Sequence, residues 1–593
     1  MGTNVGRSYK ERVRKRTIWL FFILSLLYAG LVGRLVYVQL YNAAHYKKWA
    51  NSIRLRDISL LASRGTIYDR AGRVLAVSID STSIYVNRRE LEQPARTIAQ
   101  VAAILGEDPT ELRRRIDNGH TIVWLSKKID PRLADKLRKP GLSLPGIGFE
   151  RDSKRVYPAG ALAAQILGFT GFDSRGREGV ERVLDDLLRG KDGLVRAELD
   201  ARRRIIPNTQ HVLREPEQGK SVFLTIDTTV QHMTEQALAK MARQYRPSHA
   251  CAIVMDPRTG EILALANYPT YDPNRPGSAS PEVWRNRAVA DLYEPGSTLK
   301  VLTVAAGLNE GMAPRSVLAH CTGREKMRGG VVPCSLHHPF EKGHGAVDMY
   351  KVIQHSCNIG AAHIAMRLGA EKMRSYEKAF GLLDRIEAGF GCEAVGYVEP
   401  AKNWHPIRLA NMGFGQGIAV TPLQMACLYS IVANGGVFMQ PQILREVRNS
   451  DGSLCRSFQP KRLRRVISQK AAREITKMLV RCVEDGTGKA AQIEGGTVAG
   501  KTGSAQIPRA NGSGYEPGAF VASFIGFAPA YKPRLVIAVV VHRPQGSHWG
   551  ATVAAPVFRE IAEKALWYFK VPVDSPTTPC PKPKRQKDAE SIA

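Results

Sequence analysis

No cysteine precedes Cys251, and the nine present, ending at Cys580, stand at irregular spacings without a repeated Cys-x-x-Cys pair. Disulfides fit only if that part of the chain is exported, and the odd count leaves at least one thiol unpaired. Acidic residues are scarce, 54 against 85 lysines and arginines, for a formal net charge of +31. Such an excess suits a nucleic-acid binder, yet no nucleic-acid-binding motif occurs and the basic residues are spread along the chain. A membrane surface or an anionic cell-wall polymer accounts for the charge at least as well. The glycines of Gly168-Phe-Thr-Gly171 and Gly176-Arg-Glu-Gly-Val-Glu181 lack a following Gly-Lys-Ser/Thr, so they read as turns and not as a phosphate loop. There is no internal repeat. An apolar content of 44% excludes global disorder, and 593 residues allow about two to four domains with real cores.

Long hydrophobic runs are also few. One stands out, Ile18 to Gly33, continuing after Arg34 as Leu-Val-Tyr-Val-Gln-Leu40. It is long enough to cross a bilayer, and Arg34 can extend its head group to the interface. Arg7, Lys10, Arg12, Arg14, Lys15 and Arg16 precede it against the single Glu11, which places the N-terminus on the cytoplasmic side. Without a small-x-small cleavage site directly after the run, an uncleaved anchor is the reading over a signal peptide. The organisation expected is a basic cytoplasmic tail (1–17), a transmembrane helix (18–40), an exported pedestal module (41–215), a catalytic domain (216–570) and a flexible, Pro-rich basic tail (571–593).

Residues 41 to about 60 read as an amphipathic helical stalk. Arg64 to Ala76 reads as a hairpin turning at Ala71-Gly72, with Asp69 and Arg70 pairing locally, and helices and loops are expected from there to Arg155-Val-Tyr-Pro158. A strand at Ser221–Asp227 begins a new domain. Cys251–Met255 and Ile262–Ala266 form a hairpin around Asp256-Pro-Arg-Thr-Gly260. Three more strands are expected at 497–505, 519–527 and 534–541, then a helix over 555–568. The intervening region, from Ser297 to about Asp485, is mainly helical. A sheet assembled from both ends around a helical insert puts a crevice where they meet.

Within that crevice Ser297 opens an apolar helix after the Pro295-Gly296 turn, and Lys300 lies one turn on, on the same face. A buried lysine that gives up its proton is a base for a serine nucleophile, and the free N–H groups of a helix start can hold an oxyanion. Ser356-Cys-Asn358 reads as a loop between helices, and Lys501-Thr-Gly-Ser504 as part of a strand on which Gly503 lets a ligand approach the backbone. Each short motif alone is weak. In the order Ser-x-x-Lys, Ser-x-Asn, Lys-Thr-Gly they form the triple of penicillin-binding proteins and class A β-lactamases.

The chain thus resembles a class B penicillin-binding protein, and is most similar to the cell-division transpeptidases of the FtsI type. Also similar are the Arg64–Ala76 block and Gly179-Val-Glu181 of the pedestal, Leu224-Thr-Ile-Asp227, Asn286-Arg-Ala288, Gly415-Gln-Gly417 with Thr421-Pro-Leu-Gln424, and Ala554-Ala-Pro-Val-Phe558. Position 504 is Ser where many relatives have Thr, and the hydroxyl survives.

The resemblance implies an α+β fold: an anchor, an elongated pedestal, and a transpeptidase domain with a five-stranded, mainly antiparallel sheet and a helical subdomain. It implies that Ser297 attacks the bond between the terminal D-alanines of a peptidoglycan stem peptide and that Lys300 takes its proton. It implies further that Ser356 relays a proton, that Asn358 holds the peptide, and that Lys501 with Thr502, Gly503 and Ser504 binds the terminal carboxylate, with no cofactor. β-Lactams become ligands and a membrane-embedded glycan polymerase of the FtsW type a partner, because no glycosyltransferase module precedes the pedestal. The family places the chain in the inner membrane with its catalytic domain in the periplasm. An elongation-type relative and a non-catalytic β-lactam sensor share the motifs; a soluble β-lactamase would be shorter.

Cys321, Cys334, His337, His338 and His344 cluster in one segment, but their spacing fits no named zinc pattern. A disulfide or plain loop residues are the reading over an exported zinc site, and no metal ligand is assigned.

Overall fold

The computed structural model describes residues 4–572 except 119, 140, 141, 143, 201–204, 335–342 and 510–513. His337, His338 and the tail beyond residue 572 lie outside the described residues.

Two compact units are present, the first made of Met1–Ala62 with Lys191–Gln218. Its helix Asn4–Val36 is apolar on every face from Ile18 to Gly33, and Phe21 and Leu27 are 72% and 63% exposed. Over Tyr9–Tyr41 the chain is long and apolar enough to cross a membrane. A second helix spans Ala43–Arg54 and stops there. The expected stalk is therefore shorter: Leu55–Leu60 is a strand, antiparallel to Gly193–Glu198, which pairs in turn with His211–Arg214. The alternation of Leu55, Ile58 and Leu60 with Arg56, Asp57 and Ser59 has no strong period, and the pairing across the sheet decides it.

The second unit comprises Ser63–Gly190 and Gly219–Ala593. A seven-stranded sheet runs in the order Leu454–Ser457, Leu444–Arg448, Ser221–Leu224, Ile67–Tyr68, Val74–Asn87, Ile122–Ile129, with Ile147–Val156 also paired to Val74–Asn87. The hairpin at Ala71-Gly72 forms as expected, with Gly72 at φ 85°. Asp69 does not pair with Arg70. Its Oδ1 accepts from the backbone of Ala71 and Arg73, its Oδ2 accepts from the hydroxyl of Thr228, and Arg70 reaches Glu261 instead. The strands Ile122–Ile129 and Ile147–Val156 replace part of the expected helix-and-loop region.

A buried ion cluster joins two sequence blocks of this unit. Glu181, fully buried, takes Arg64 Nε at 2.6 Å on one oxygen and Arg155 Nε at 2.6 Å on the other, and Arg64 also bonds Asp185. The glycines here serve close approach: a Cβ on Gly168 would sit 1.7 Å from the carbonyl oxygen of Glu178.

The five-stranded sheet is antiparallel throughout, in the order Ile262–Tyr268, His249–Met255, Leu535–His542, Tyr515–Ala528, Ala499–Pro508. The strands Ile262–Tyr268, His249–Met255 and Leu535–His542 are apolar nearly throughout because both faces are covered. Val536, Ala538 and Val540 enter one core with the helical insert, while Ile537, Val539 and Val541 enter another with helices Thr228–Tyr245 and Ala555–Tyr568. Strand Ala499–Pro508 forms one edge of this sheet, beside the insert.

Candidate active site

The turn that carries Ser297 is braced from several sides. Gly296–Leu299 is a single 3₁₀ turn feeding helix Lys300–Asn309, so Ser297 sits on the tightened first turn and its carbonyl accepts from Lys300 N. Gly296 takes φ 52° and donates to the Gly415 carbonyl at 3.0 Å; a Cβ on Gly415 would lie 2.1 Å from the Gly296 oxygen. Thr298 Oγ1 donates to the Pro295 carbonyl at 2.7 Å, and Tyr429 donates to the Thr298 carbonyl at 3.0 Å. Leu299, Val301, Leu302, Val304, Ala305 and Ala306 are wholly buried around the helix, which fixes its axis.

Lys300 is wholly buried beneath Ser297. Its Nζ lies 3.0 Å from Ser297 Oγ, 2.5 Å from the Ser356 carbonyl, 3.1 Å from Ser356 Oγ and 2.6 Å from Asn358 Oδ1. Burial, reinforced by the charge of Lys501 and partly offset by neighbouring thiols, brings its pKa down to about 7. A neutral amine has two N–H donors and one lone pair. The two closest oxygens, the Ser356 carbonyl and Asn358 Oδ1, can only accept and take both donors. The lone pair is left for the hydroxyls, and Ser356 Oγ donates to Ser297 Oγ at 2.9 Å. The two hydroxyls and the amine form a closed path for one proton.

Ser356 and Asn358 are set by the junction between helices Met349–Gln354 and Asn358–Leu368. Asn358 is tied at both ends, its Nδ2 donating to the Pro333 carbonyl at 3.0 Å.

The opposite wall is strand Ala499–Pro508. Lys501 is wholly buried, and its Nζ lies 3.2 Å from the Thr502 carbonyl and 3.3 Å from the hydroxyls of Thr502 and Thr487. Thr502 donates to Thr487 Oγ1 at 2.9 Å, and Ser504 Oγ accepts from Gly550 N at 3.0 Å. Burial lowers the Lys501 pKa as well. Gly503 has a packing role in addition to the ligand approach expected from the sequence. A Cβ there would meet Ser523 Oγ at 2.4 Å, Thr298 Cγ2 at 3.0 Å and the Pro295 oxygen at 3.2 Å, so its bareness seats the strand on the nucleophile turn.

All eight residues singled out in the sequence thus fall in one neighbourhood, with Lys501 close enough to Lys300 to lower its pKa and Gly503 against Thr298. Two others went unremarked. Thr487, in Gly486-Thr-Gly488, bridges Lys501 and Thr502, and a small polar residue between glycines just before the strand is its only signal. Glu294 accepts from Gly417 N at 2.9 Å and from the Tyr515 hydroxyl at 3.0 Å, joining three segments behind Ser297. Of the Cys/His segment, Cys321, Cys334 and His344 do converge, joined by Cys357 of the Ser-x-Asn motif, with one ligand atom of each within 4.8 Å of the others.

The penicillin-binding protein transpeptidase domain family matches residues 250–563, and the penicillin-binding protein dimerisation domain family matches residues 59–224. The chain is 32% identical to a probable peptidoglycan D,D-transpeptidase PenA of Neisseria meningitidis, over 96% of each chain. It is 29% identical to the peptidoglycan D,D-transpeptidase FtsI of Escherichia coli, over 94% of this chain and 93% of that one. Among solved structures, penicillin-binding protein 3 of Mycobacterium tuberculosis with aztreonam superposes with a TM-score of 0.68 at 27% identity, covering 88% of this chain and 99% of that one.

Proposed function

The chain belongs to the class B penicillin-binding proteins and is a serine-type peptidoglycan D,D-transpeptidase, and we propose that it builds septal cross-links through an acyl-enzyme on Ser297. The observation that carries the choice of residues is the Lys300 amine, 3.0 Å from Ser297 Oγ with its pKa near 7.

Ser297 Oγ attacks the carbonyl carbon between the two terminal D-alanines as its proton passes to Lys300. The tetrahedral oxyanion accepts from the backbone N–H groups of Ser297 and Ser504, each worth about 3–4 kcal/mol. The C–N bond then breaks, and the departing D-alanine amine receives the proton from Lys300 through Ser356 Oγ. Lys501, Thr502 and Ser504 take the terminal carboxylate, and Thr487 holds the Lys501 and Thr502 side chains in place. An amine of a neighbouring stem peptide attacks the ester, forming the new amide and returning the proton to Ser297. Asn358 orients the Lys300 amine and presents its remaining surface to the peptide. A β-lactam enters by the same acylation and stays because its leaving group is tethered.

The helix over Tyr9–Tyr41 anchors the protein in the inner membrane, with the basic N-terminal segment in the cytoplasm and the catalytic domain in the periplasm. Its exposed apolar surface is a docking face for an FtsW-type membrane-embedded glycan polymerase. The pedestal and catalytic boundaries near residues 41, 216 and 570 are retained as the working division of the chain.

The test is a cross-linking assay on nascent glycan with the full-length protein, together with imaging of a fluorescent fusion. Cross-link formation with release of D-alanine, and a band at the division plane, are expected. Release without cross-linking removes the transpeptidase role, and lateral-wall localisation replaces the septal role with the elongation one.

A further inference from the structure

Four buried side chains meet behind the Ser-x-Asn motif. Cys321 ends strand Ala319–Cys321, Cys334 follows strand Gly330–Pro333, His344 precedes strand Gly345–Val347, and Cys357 caps helix Asn358–Leu368. They are 1%, 8%, 9% and 0% exposed. His344 Nδ1 lies 3.4 Å from Cys321 Sγ and 3.4 Å from Cys334 Sγ, and the sulfurs of Cys334 and Cys357 are 3.7 Å apart.

These separations fit a metal tetrahedron. A tetrahedral zinc with Zn–S near 2.3 Å and Zn–N near 2.0–2.1 Å puts sulfurs about 3.8 Å apart and sulfur and nitrogen about 3.5 Å apart. Three of the six spacings match the edges of that tetrahedron, and all the ligand atoms lie within 4.8 Å of one another. A disulfide requires sulfurs about 2.05 Å apart, and pairing two of the thiols would leave the third beside the imidazole unexplained. Buried thiols acting as small apolar groups have no reason to gather on one ring nitrogen. The backbone is shaped for the approach too. Gly343 has φ 89°, and a Cβ there would lie 2.2 Å from the Cys321 carbonyl oxygen, so only glycine brings His344 this close to Cys321. Around the sulfur of Cys357, Gly360 N donates at 3.5 Å, the kind of N–H···S contact that supports a metal thiolate.

We propose that Cys321, Cys334, His344 and Cys357 bind one Zn²⁺ in a closed Cys₃His site. Three thiolates with one imidazole select zinc over the hard cations, and a full protein shell marks it as structural.

The position gives the metal a consequence for chemistry. Cys357 lies between Ser356 and Asn358, and Cys334 follows Pro333, whose carbonyl holds the Asn358 amide. Ser356 is held at φ 62°, a left-handed backbone costly for a residue other than glycine. A metal gripping Cys357 and Cys334 clamps both oxygens that take the Lys300 protons. This positioning role rests on the Ser297–Lys300 reading; the metal site does not.

The experiment uses full-length protein in detergent, purified without metal-chelating resin and under reducing conditions. Elemental analysis is expected to give about one zinc per chain, retained through dialysis against a weak chelator. Cys321→Ser and His344→Ala, checked by circular dichroism for retained fold, should lose it, and His344→Cys should keep it. Should the variants fail to fold, Co²⁺ in place of zinc in the wild-type chain should give the intense thiolate charge-transfer band of a sulfur-ligated metal. Less than a tenth of an equivalent of zinc after incubation with Zn²⁺, a missing cobalt band, or a Cys334–Cys357 disulfide in peptide mapping overturns the site. Stripping the zinc should slow acylation by labelled penicillin roughly tenfold or more, with rescue on adding Zn²⁺ back. Bound zinc with unchanged acylation removes the positioning role and leaves the site, while absent labelling of the zinc-loaded protein overturns the Ser297 reading alone.

Discussion

The Lys300 amine donates to the backbone carbonyl of Ser356 at 2.5 Å, and Ser356 reaches that place only in a left-handed backbone conformation. One residue thus gives the Lys300 amine both a fixed acceptor and, through its hydroxyl, a bridge to Ser297 Oγ. The strain, of order 1–3 kcal/mol, is the cost of turning carbonyl and hydroxyl toward the same amine.

That geometry separates two substitutions at one position. Ser356→Ala and Ser356→Gly both remove the hydroxyl and should slow acylation by labelled penicillin roughly 10²-fold or more. Glycine accepts the left-handed backbone without the Cβ penalty, so the Gly variant should be the more stable by about 1–2 kcal/mol. Denaturant midpoints check the order. Equal midpoints would mean that the strain is absent in solution.

For the central pair, Ser297→Ala should abolish covalent labelling, and Lys300→Ala should lower the acylation rate about 10²–10⁴-fold with Ser297 still in place. Labelling that persists in Ser297→Ala identifies a different nucleophile.

The pH profile follows from the Lys300 pKa near 7. The reactive form is the neutral amine, so acylation should rise with pH through about 7 and level off above it. Each unit below should cost about tenfold. The groups facing the amine are Lys501, which lowers its pKa, and the thiols of Cys334, Cys357 and Cys482, which raise it; burial outweighs them all. Lys501→Gln, tested on the residual activity, should move the rise to higher pH. An unchanged midpoint would assign the titration to another group.

Much of this was legible in the sequence because motif residues sit where one element gives way to another. Gly296, the helix start at Asn358 and the apolar strands around Lys501 each announce a junction, and the order of the motifs supplied their meeting. The misses share a cause as well. Ile122–Ile129 and Ile147–Val156 carry charged residues on half-exposed faces and are strands because Val74–Asn87 pairs with both. Asp69 looked like a local partner for Arg70, whereas its hydrogen bond to Thr228 spans 159 residues. Cys357 was read only as the filler between Ser356 and Asn358, because no local spacing relates it to Cys321, Cys334 and His344.

The pedestal's ion cluster makes a prediction about stability alone. Glu181→Gln leaves Arg64 and Arg155 buried against a neutral side chain, which should cost about 3–5 kcal/mol. Denaturant unfolding measures it, and the acylation rate of the folded protein should stay the same. A change below about 1 kcal/mol would show that water reaches the cluster.

Gly503 tests how strand and nucleophile turn are joined. Its missing side chain is the space into which Thr298 and Ser523 pack, with a would-be Cβ only 2.4 Å from Ser523 Oγ and 3.0 Å from Thr298 Cγ2. Ser523 can rotate away, but Thr298 is wholly buried and Pro295 O belongs to the turn itself. Gly503→Ala must therefore push the strand outward, carrying the Ser504 N–H away from the oxyanion position. Overpacking of this kind costs about 1–3 kcal/mol of stability, and a displacement near 1 Å costs about 10²-fold in rate. Adding Ser523→Gly removes the nearest clash and should recover stability more than rate, because the contact with Thr298 persists. Full recovery of acylation in the double variant would mean that the strand is positioned by Ser523 and not by the turn that bears Ser297.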